Sequence, residues 1–227
     1  MQEAERVERL RDAQRQATTL FSAIEDAGII APGVSERAAS EAIRDLAADL
    51  LGVEQHWHKR VVRAGPNSLE PYHSKPPDRE ITADDIVYLD LGPVFEKWEA
   101  DFGRTYVLGD DPHKLALRDA LSEVWAAGRA HFEATPDITG AGLFGFMVEQ
   151  AADRGYEWGG TIAGHLVGDF PHADAEGDKD YSRVAPANDR QMRGVDSNGN
   201  AAHWILEVHL VDRQREIGGF YEELLDI

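Results

Sequence analysis

Several acidic residues lie inside apolar segments, where exposure to solvent does not account for them. Asp90 interrupts the apolar run IVYLDLGPVF, and Glu207 is flanked by Leu206 and Val208 in HWILEVHLV. An ionised carboxylate in a buried strand requires a cation or several hydrogen-bond donors. These positions are therefore the first candidates for chemistry.

A second carboxylate follows Asp90 at a spacing suited to a paired strand. Asp101, in WEADFGRT, lies 11 residues further along the chain. That distance is enough for the end of one strand, a hairpin turn and a return strand. Because opposed residues of antiparallel strands have neighbouring Cβ atoms, we expect the two carboxylates to lie side by side.

Two histidines and one more acid complete the candidate set. His165 lies in AGHLVG among small and apolar residues, and His172 follows in DFPH. Glycines allow other groups to approach closely, and imidazole is a common metal ligand. Glu222, in GGFYEELL, is the last acid of the set.

Four carboxylates that met in a protein interior would repel one another, and burial would keep most of them protonated. Two divalent metal ions would balance these charges, and a hydroxide bridging both ions could form near neutral pH. One imidazole with four carboxylates is a hard, oxygen-rich ligand set, which favours Mn²⁺, Co²⁺, Fe²⁺ or Zn²⁺ over copper-type sites. We expect two divalent ions, with Mn²⁺ first among them.

Helical and strand patterns surround these positions. The runs WHKRVV, DIVYLDLGPVF and WILEVHLVD are typical of strands, and the turn clusters GPN and KPPDR divide them. A polar stretch over residues 173–202 predicts a long loop. Apolar residues recur at spacings of three and four in four predicted helices, 3–27, 35–52, 113–134 and 142–154. The sequence therefore predicts an α+β fold.

Composition excludes several classes of protein. The chain has 227 residues, 42% hydrophobic and 29% charged, which is close to the globular average. Its net charge of −19 leaves no basic surplus for nucleic acid or anionic membranes. No apolar stretch approaches the roughly 20 residues that span a bilayer. We therefore expect no nucleic-acid or membrane partner. The chain also has no cysteine, which fits a reducing compartment, so we expect a cytoplasmic protein.

The acidic residues and histidines occur in the order found in a known family. The stretches DLGPVFEKWEADFGRT, AGHLVGDFPH, ILEVHLVD and GFYEELL resemble the M24 metallopeptidases, over about residues 30–227. The stretch AGPNSLEPYHSKPPDREITADDIVYLDLGP is most similar to the Xaa-Pro aminopeptidase and prolidase branch. The resemblance implies the pita-bread fold, in which helices cover curved antiparallel sheets. It covers the catalytic domain only, so we predict one domain over residues 1–227 with a helical extension at about 1–30.

The resemblance also implies a role for each metal-ligating residue. Asp90 would chelate one ion, Asp101 and Glu222 would bridge both ions, and His165 and Glu207 would complete the other. The implied reaction is hydrolysis of the N-terminal peptide bond of small peptides, Xaa-Pro peptides among them, by a metal-bridging hydroxide.

Three residues have implied catalytic roles in this resemblance. Glu207 would take a proton from the nucleophilic water and pass it to the leaving nitrogen. His73, in PYHSKPPDR, would stand near the scissile carbonyl, and His172 would donate to the substrate carbonyl or the gem-diolate. The family commonly forms dimers, so a homodimer is the assembly to test.

Three positions depart from the Xaa-Pro pattern. Thr161 replaces a histidine four residues before the metal-binding histidine, Phe220 replaces an arginine two residues before the last ligand, and Val208 replaces a proline. These changes leave the metal ligands intact but bear on proline specificity. Two alternatives therefore stand beside the peptidase: a hydrolase of another C–N bond, and a non-catalytic pita-bread module that binds peptides or proteins.

Overall fold

Helices and strands follow one another in blocks along the chain. The computed structural model describes residues 2–171, 181–196 and 198–227, and within these ranges it contains four α-helices and nine β-strands. The helices are α1 Glu3–Asp26, α2 Glu36–Leu51, α3 Pro112–Ala134 and α4 Gly140–Asp153. The strands are β1 Val61–Ala64, β2 Ile86–Leu91, β3 Val94–Phe95, β4 Trp98–Glu99, β5 Phe102–Val107, β6 Glu157–Trp158, β7 Gly164–Val167, β8 His203–Asp212 and β9 Ile217–Leu224.

Local signals at the helix ends explain where the helices begin and stop. The hydroxyl of Ser35 accepts a hydrogen bond from the amide of Ala38 at the start of α2, and Gly52 ends that helix with a φ of 65°. The carboxylate of Asp111 caps α3, and Pro112 occupies its first turn. Such side chains satisfy amide groups that lack partners in a first helical turn. The four predicted helices are confirmed to within about two residues at their ends.

Seven strands form one antiparallel sheet. The order across it is β1-β2-β5-β9-β8-β6, and β7 pairs with the first half of β8. The two short strands β3 and β4 make a separate hairpin between β2 and β5. The sequence predicted β2 and β3 as one continuous run, but Gly92 and Pro93 divide them.

Helices cover one face of this sheet. Val87, Leu89 and Leu91 of β2 are buried in one cluster with the apolar stripes of α1 and α2. Leu206 and Val208 of β8 are buried in a second cluster with α3 and α4. Because side chains alternate along a strand, residues between these positions point to the opposite face. The candidate acids of β2 and β8 therefore lie on the face without helices.

Two further predictions concern the loops and membrane spans. Of the predicted loop 173–202, residues 181–196 form turns and isolated bridges, with Val184 and Met192 buried in the second cluster. Residues 172–180 and 197 lie outside the described ranges. Across the part of the chain that is described, every helix is too short or too polar to cross a bilayer.

Candidate metal centre

A row of acidic positions crosses four neighbouring strands. Asp90 of β2 pairs with Gly103 of β5, Gly103 pairs with Glu222 of β9, and Glu222 pairs with Glu207 of β8. Paired residues in antiparallel strands have Cβ atoms about 4.5–5.5 Å apart and share a face. The sheet register thus brings together three acids that are far apart in sequence.

Glycine at position 103 leaves the centre of the row open. A Cβ atom built on Gly103 would lie 2.6 Å from Cδ1 of Phe220 and 3.1 Å from Cβ of Glu222. The ring of Phe220 therefore lies over the backbone of β5, next to the carboxylate of Glu222. Any side chain at Gly103 would force one of these two residues to move.

Asp101 enters the row from the residue just before β5. Its register places it diagonal to Asp90 rather than directly opposite, because Asp90 faces Gly103 and the β3–β4 hairpin sets the return. The residue is 4% exposed. Oδ2 of Asp101 lies 2.9 Å from Nε2 of His165, which projects from β7. The same nitrogen is 4.0 Å from Oε1 of Glu222.

The structure adds one histidine that the sequence interpretation missed. His58 lies between α2 and β1, and its Nε2 is 3.1 Å from Oδ1 of Asp101 and 3.4 Å from Oδ1 of Asp90. From the sequence, its segment WHKRVV predicts only a strand. The available signal was a histidine beside a tryptophan just before an apolar run, which by itself does not indicate where the ring points.

The aspartates and histidines of the centre influence one another strongly. Burial lowers the pKa of His58, but the carboxylates of Asp101 and Asp90 outweigh burial and raise it to about 9. Burial also lowers the pKa of His165, but its hydrogen bond to Asp101 outweighs burial, so the pKa is raised overall. Burial would raise the pKa of Asp101, yet the two histidines hold it below the usual range. The two histidines therefore favour the ionised form of Asp101.

The other three acids are held towards the protonated form. Burial raises the pKa of Asp90 to about 7 and that of Glu207 to about 8. Burial, with the charges of Asp101 and Asp90, raises the pKa of Glu222 well above its ordinary value. Glu207 and Glu222 are directly paired in β8 and β9, and the charge of Glu207 also raises the pKa of Glu222. A divalent cation would take the place of these protons.

The donor set fits divalent metal ions. His58, Asp90 and Asp101 offer ligand atoms that all lie within 4.8 Å of one another, and so do Asp101, His165 and Glu222. Asp101 belongs to both groups. Oε2 of Glu222 is buried, and no hydrogen-bond partner for it occurs among the described residues. An unpaired buried carboxylate oxygen is costly, and a metal ion at this position would satisfy it.

Comparison with known proteins identifies the family. The sequence profile of metallopeptidase family M24 matches residues 8–194 of this chain. The chain belongs to this family. The matched region begins inside α1, so it includes most of the helix that the sequence interpretation set apart as an extension.

Curated members of the M24 family share part of their length with this chain. The Xaa-Pro dipeptidase of Lactobacillus delbrueckii subsp. lactis is 29% identical over 159 residues, which cover 69% of this chain and 40% of that protein. The Xaa-Pro dipeptidase of Pyrococcus horikoshii is 28% identical over 151 residues, covering 66% of this chain and 41% of that protein. The alignments thus span less than half of these relatives.

Solved structures show the same fold. The prolidase of Thermococcus sibiricus superposes with a TM-score of 0.78 at 18% identity, over 100% of this chain and 58% of that chain. The X-Pro aminopeptidase of Thermotoga maritima gives 0.77 at 18% identity, over 98% of this chain and 58% of that one. These similarities confirm the predicted α+β, pita-bread fold.

Of the two histidines predicted on the substrate side, only His73 lies within the described residues. His73 is exposed, and its ring packs against Tyr72, with centroids 5.4 Å apart. The ring of Tyr72 in turn lies 5.8 Å from that of His58. Ring contacts through Tyr72 therefore connect His73 to His58. His172 lies outside the described residues.

The departures from the Xaa-Pro pattern occupy different surroundings. Phe220 is buried on the same face of β9 as Glu222, with its ring 5.5 Å from that of Tyr88. Thr161 is exposed just before β7. Val208 is buried among the residues that contact α3 and α4, on the face opposite Glu207. Of the three, only Phe220 adjoins the carboxylate row.

Proposed function

We propose that this chain is a peptidase that holds two divalent metal ions and hydrolyses the N-terminal peptide bond of small peptides. The observation that carries the proposal is the cross-strand row of acids, which includes the buried Oε2 of Glu222 with no hydrogen-bond partner among the described residues. A fold without metal would gain nothing from such a row, because it must keep protons on most of these carboxyl groups. Membership of metallopeptidase family M24 supports the same conclusion.

The proposed ligands form three groups: two residues that hold both ions, one residue on the side of the first ion, and two residues on the side of the second ion. Asp101 and Glu222 would hold both ions, Asp90 would hold one, and His165 with Glu207 would hold the other. Bound ions of this kind activate a water molecule near neutral pH and polarise a substrate carbonyl. Glu207 lies at one end of the row and is only half-buried, so it would take up the proton of the attacking water and deliver it to the leaving nitrogen.

Peptides with proline in the second position are the first substrates to test, since the aligned relatives are Xaa-Pro dipeptidases. Phe220 presents an apolar ring beside Glu222, at the position that carries an arginine in the Xaa-Pro pattern. That ring cannot pair with a substrate carboxylate. We therefore retain hydrolysis of another C–N bond as the second candidate function.

Mn²⁺ is the first ion to test, followed by Co²⁺, Fe²⁺ and Zn²⁺, because the predicted set of ligands is rich in carboxylates.

We also propose a single catalytic domain over residues 1–227. A cytoplasmic location and a homodimeric assembly stay predictions from the sequence.

Exchange of Asp101 tests the proposal directly. Asp101→Asn removes the charge that both sides of the centre share, so we expect metal binding and peptide hydrolysis to be lost together. Metal content is measured by mass spectrometry and hydrolysis with Xaa-Pro dipeptides. Asp119→Asn, on the exposed face of α3, is the matched control and should retain both properties.

The results separate the candidate functions. Unchanged metal stoichiometry in Asp101→Asn would refute the dinuclear assignment. Wild-type protein that binds two ions but cleaves no peptide would favour a different C–N substrate. Wild-type protein that binds no metal after reconstitution would favour a non-catalytic binding module.

A further inference from the structure

Two imidazoles flank Asp101 with the same set of contacts. His165 places Nε2 at 2.9 Å from Oδ2 of Asp101 and Nδ1 at 2.8 Å from the carbonyl oxygen of Leu166. His58 places Nε2 at 3.1 Å from Oδ1 of Asp101 and Nδ1 at 2.7 Å from the carbonyl oxygen of Lys59. Each ring thus bonds the carbonyl of the next residue and one oxygen of the same carboxylate.

These contacts fix which nitrogen of His58 could bind a metal ion. A carbonyl oxygen only accepts hydrogen bonds, so Nδ1 of His58 must carry a proton and donate it to Lys59. In the neutral ring the lone pair then lies on Nε2, which faces Asp90 and Asp101. Metal-binding histidines commonly have this arrangement, with the other ring nitrogen donating to a carbonyl or carboxylate.

The spacing of the atoms around His58 matches that of ligands on one ion. Nε2 of His58 lies 3.1 Å from an oxygen of Asp101 and 3.4 Å from an oxygen of Asp90. Neighbouring ligands of an octahedral ion with bonds of about 2.1 Å are about 3 Å apart. The three side chains could therefore bind one cation with little change in their positions.

The surrounding structure holds the His58 ring at this place. The ring of Trp57 makes edge contacts with both imidazoles, at centroid distances of 4.5 Å to His58 and 5.2 Å to His165. The indole nitrogen of Trp57 donates to the carbonyl of Ala100, next to Asp101. A Cβ atom built on Gly92 would lie 2.2 Å from Cδ2 of His58, so the ring depends on glycine there.

We propose that His58 is a sixth protein ligand of the metal centre and binds the ion on the Asp90 side, as His165 binds the ion on the other side. This inference rests on the proposed dinuclear function. It gives each ion one imidazole, where the resemblance to the family implied a single histidine for the whole centre. Imidazole suits Zn²⁺ and Fe²⁺ better than Mn²⁺, so His58 also alters which ions the Asp90 side prefers.

A purely structural role for His58 makes the opposite prediction. If the ring served only as a counter-charge to Asp90 and Asp101, it would compete with the metal ion. Its removal would then leave metal affinity unchanged or increase it. If His58 is a ligand, its removal must weaken one of the two binding steps and weaken Zn²⁺ more than Mn²⁺.

Calorimetric titration of His58→Ala with Zn²⁺ and with Mn²⁺ separates these roles. We expect wild-type protein to bind two ions, and His58→Ala to show one step weakened about 100-fold or more for Zn²⁺, since loss of even an outer-shell partner costs about 10–100-fold. The Mn²⁺ step should weaken less. His56→Ala is the matched control, because that ring lies two residues away on the same segment and its Nε2 is buried with no hydrogen-bond partner among the described residues.

Co²⁺-loaded protein gives a second measurement. We expect the visible absorption of one of two Co²⁺ ions to change in His58→Ala and to recover when free imidazole is added. Gly92→Ala should produce the same change with the histidine still in the chain, because the new methyl group displaces the ring. Together the two variants separate loss of the ligand from a folding defect.

The inference and the proposed function fail in different ways. Two ions with unchanged affinities in His58→Ala, or equal weakening of Zn²⁺ and Mn²⁺, would overturn the ligand role of His58 and leave the dinuclear centre standing. Wild-type protein that binds no ion would overturn both.

Discussion

Asp101 is the residue on which both sides of the metal centre converge. Each oxygen of its carboxylate faces a different imidazole, at 3.1 Å from His58 and 2.9 Å from His165. In the proposed dinuclear centre, Asp101 would hold both ions. Its position just before β5, rather than inside the strand, lets it reach beyond the row formed by Asp90, Glu207 and Glu222.

His73 lies outside this group, and its replacement should affect turnover rather than metal binding. The ring is exposed and contacts Tyr72, and His73 belongs to neither group of candidate ligands. In His73→Ala we expect two bound ions, as in wild type, and a lower kcat, by about 10²–10⁴-fold if the ring assists the reaction at the carbonyl. The measurement combines metal analysis with steady-state hydrolysis on the same sample.

His113→Ala is the control for this variant, because that histidine is exposed on the first turn of α3. It should behave as wild type. If His73→Ala loses metal as Asp101→Asn is expected to, the division into metal-binding and substrate-side residues is wrong.

The buried acids could be singled out from the sequence, since a charge inside an apolar strand demands a partner. Asp90 and Glu207 stand out in this way, while Glu222 is a weaker candidate because Glu223 stands beside it in the sequence. His58 could not be found, because the direction of its ring depends on the path of the chain between α2 and β1. The ligand and catalytic roles of all these residues stay predictions.

At the scale of elements, the strand register brings together the row of acids formed by Asp90, Glu222 and Glu207. Gly103 is the position in this row where an added side chain would collide with its neighbours. Gly103→Ala would place a methyl group 2.6 Å from the ring of Phe220. We expect a loss of about 1–3 kcal/mol in the free energy of unfolding, as in other overpacked sites. Because Glu222 is the other neighbour, metal affinity should fall as well. Urea denaturation and metal titration measure the two effects.

Gly145→Ala provides the comparison for that variant. This glycine lies on the exposed side of α4 with nothing within 4 Å of a built Cβ. Alanine favours helix over glycine by up to about 1 kcal/mol, so stability should rise or hold and metal affinity should stay the same. A Gly103→Ala protein as stable as wild type, with unchanged metal affinity, would show that the row tolerates a side chain at its centre.

The first helix is attached to the sheet by an ion-pair network around His203. Nε2 of His203 lies 2.7 Å from Oε1 of Glu3 in α1, and Nδ1 lies 2.8 Å from Oδ2 of Asp226. Burial lowers the pKa of His203, but its hydrogen bonds to Asp226 and Glu3 outweigh burial and raise it. The folded protein therefore keeps the imidazole charged to a higher pH than the unfolded chain does.

The sign of the pH effect follows from that shift. The contribution of charged His203 to the free energy of unfolding is fully present below its ordinary pKa of about 6.5. It is lost as the pH rises through the raised pKa of the folded protein. Relative to His203→Gln, wild-type protein should be most stable near pH 5.5, and the difference in free energy of unfolding should shrink towards pH 9. A difference that grows with pH would contradict the assigned contacts.

Helices were easier to predict than the sheet. Apolar spacing and end signals such as Ser35, Gly52 and Pro112 are local, so all four helices could be located from the sequence. The strand pairings are not local. The sequence predicts Asp90 beside Asp101, and their carboxylate oxygens do lie within 4.8 Å of each other. The residue paired with Asp90 is nevertheless Gly103, because the β3–β4 hairpin takes up residues between β2 and β5.

At the scale of the whole molecule, the apolar residues that pack against the helices are separate from the candidate metal ligands. Alternate apolar residues of β2 and β8 pack with the helices on one face of the sheet, while the acids of these strands point to the other face. Helix packing can therefore stabilise the sheet without contacting the metal centre. The same arrangement explains how a sheet can carry several buried acids, since the large apolar clusters on its other face offset their cost.

The most direct test of the central claim is to count the metal ions on purified protein and measure hydrolysis of Xaa-Pro and Met-Xaa dipeptides as Mn²⁺ is added. We predict that hydrolysis rises as the second ion binds and is abolished by a chelator. Cleavage that persists in metal-free protein, or a chain that binds no ion at any Mn²⁺ concentration, would contradict the account.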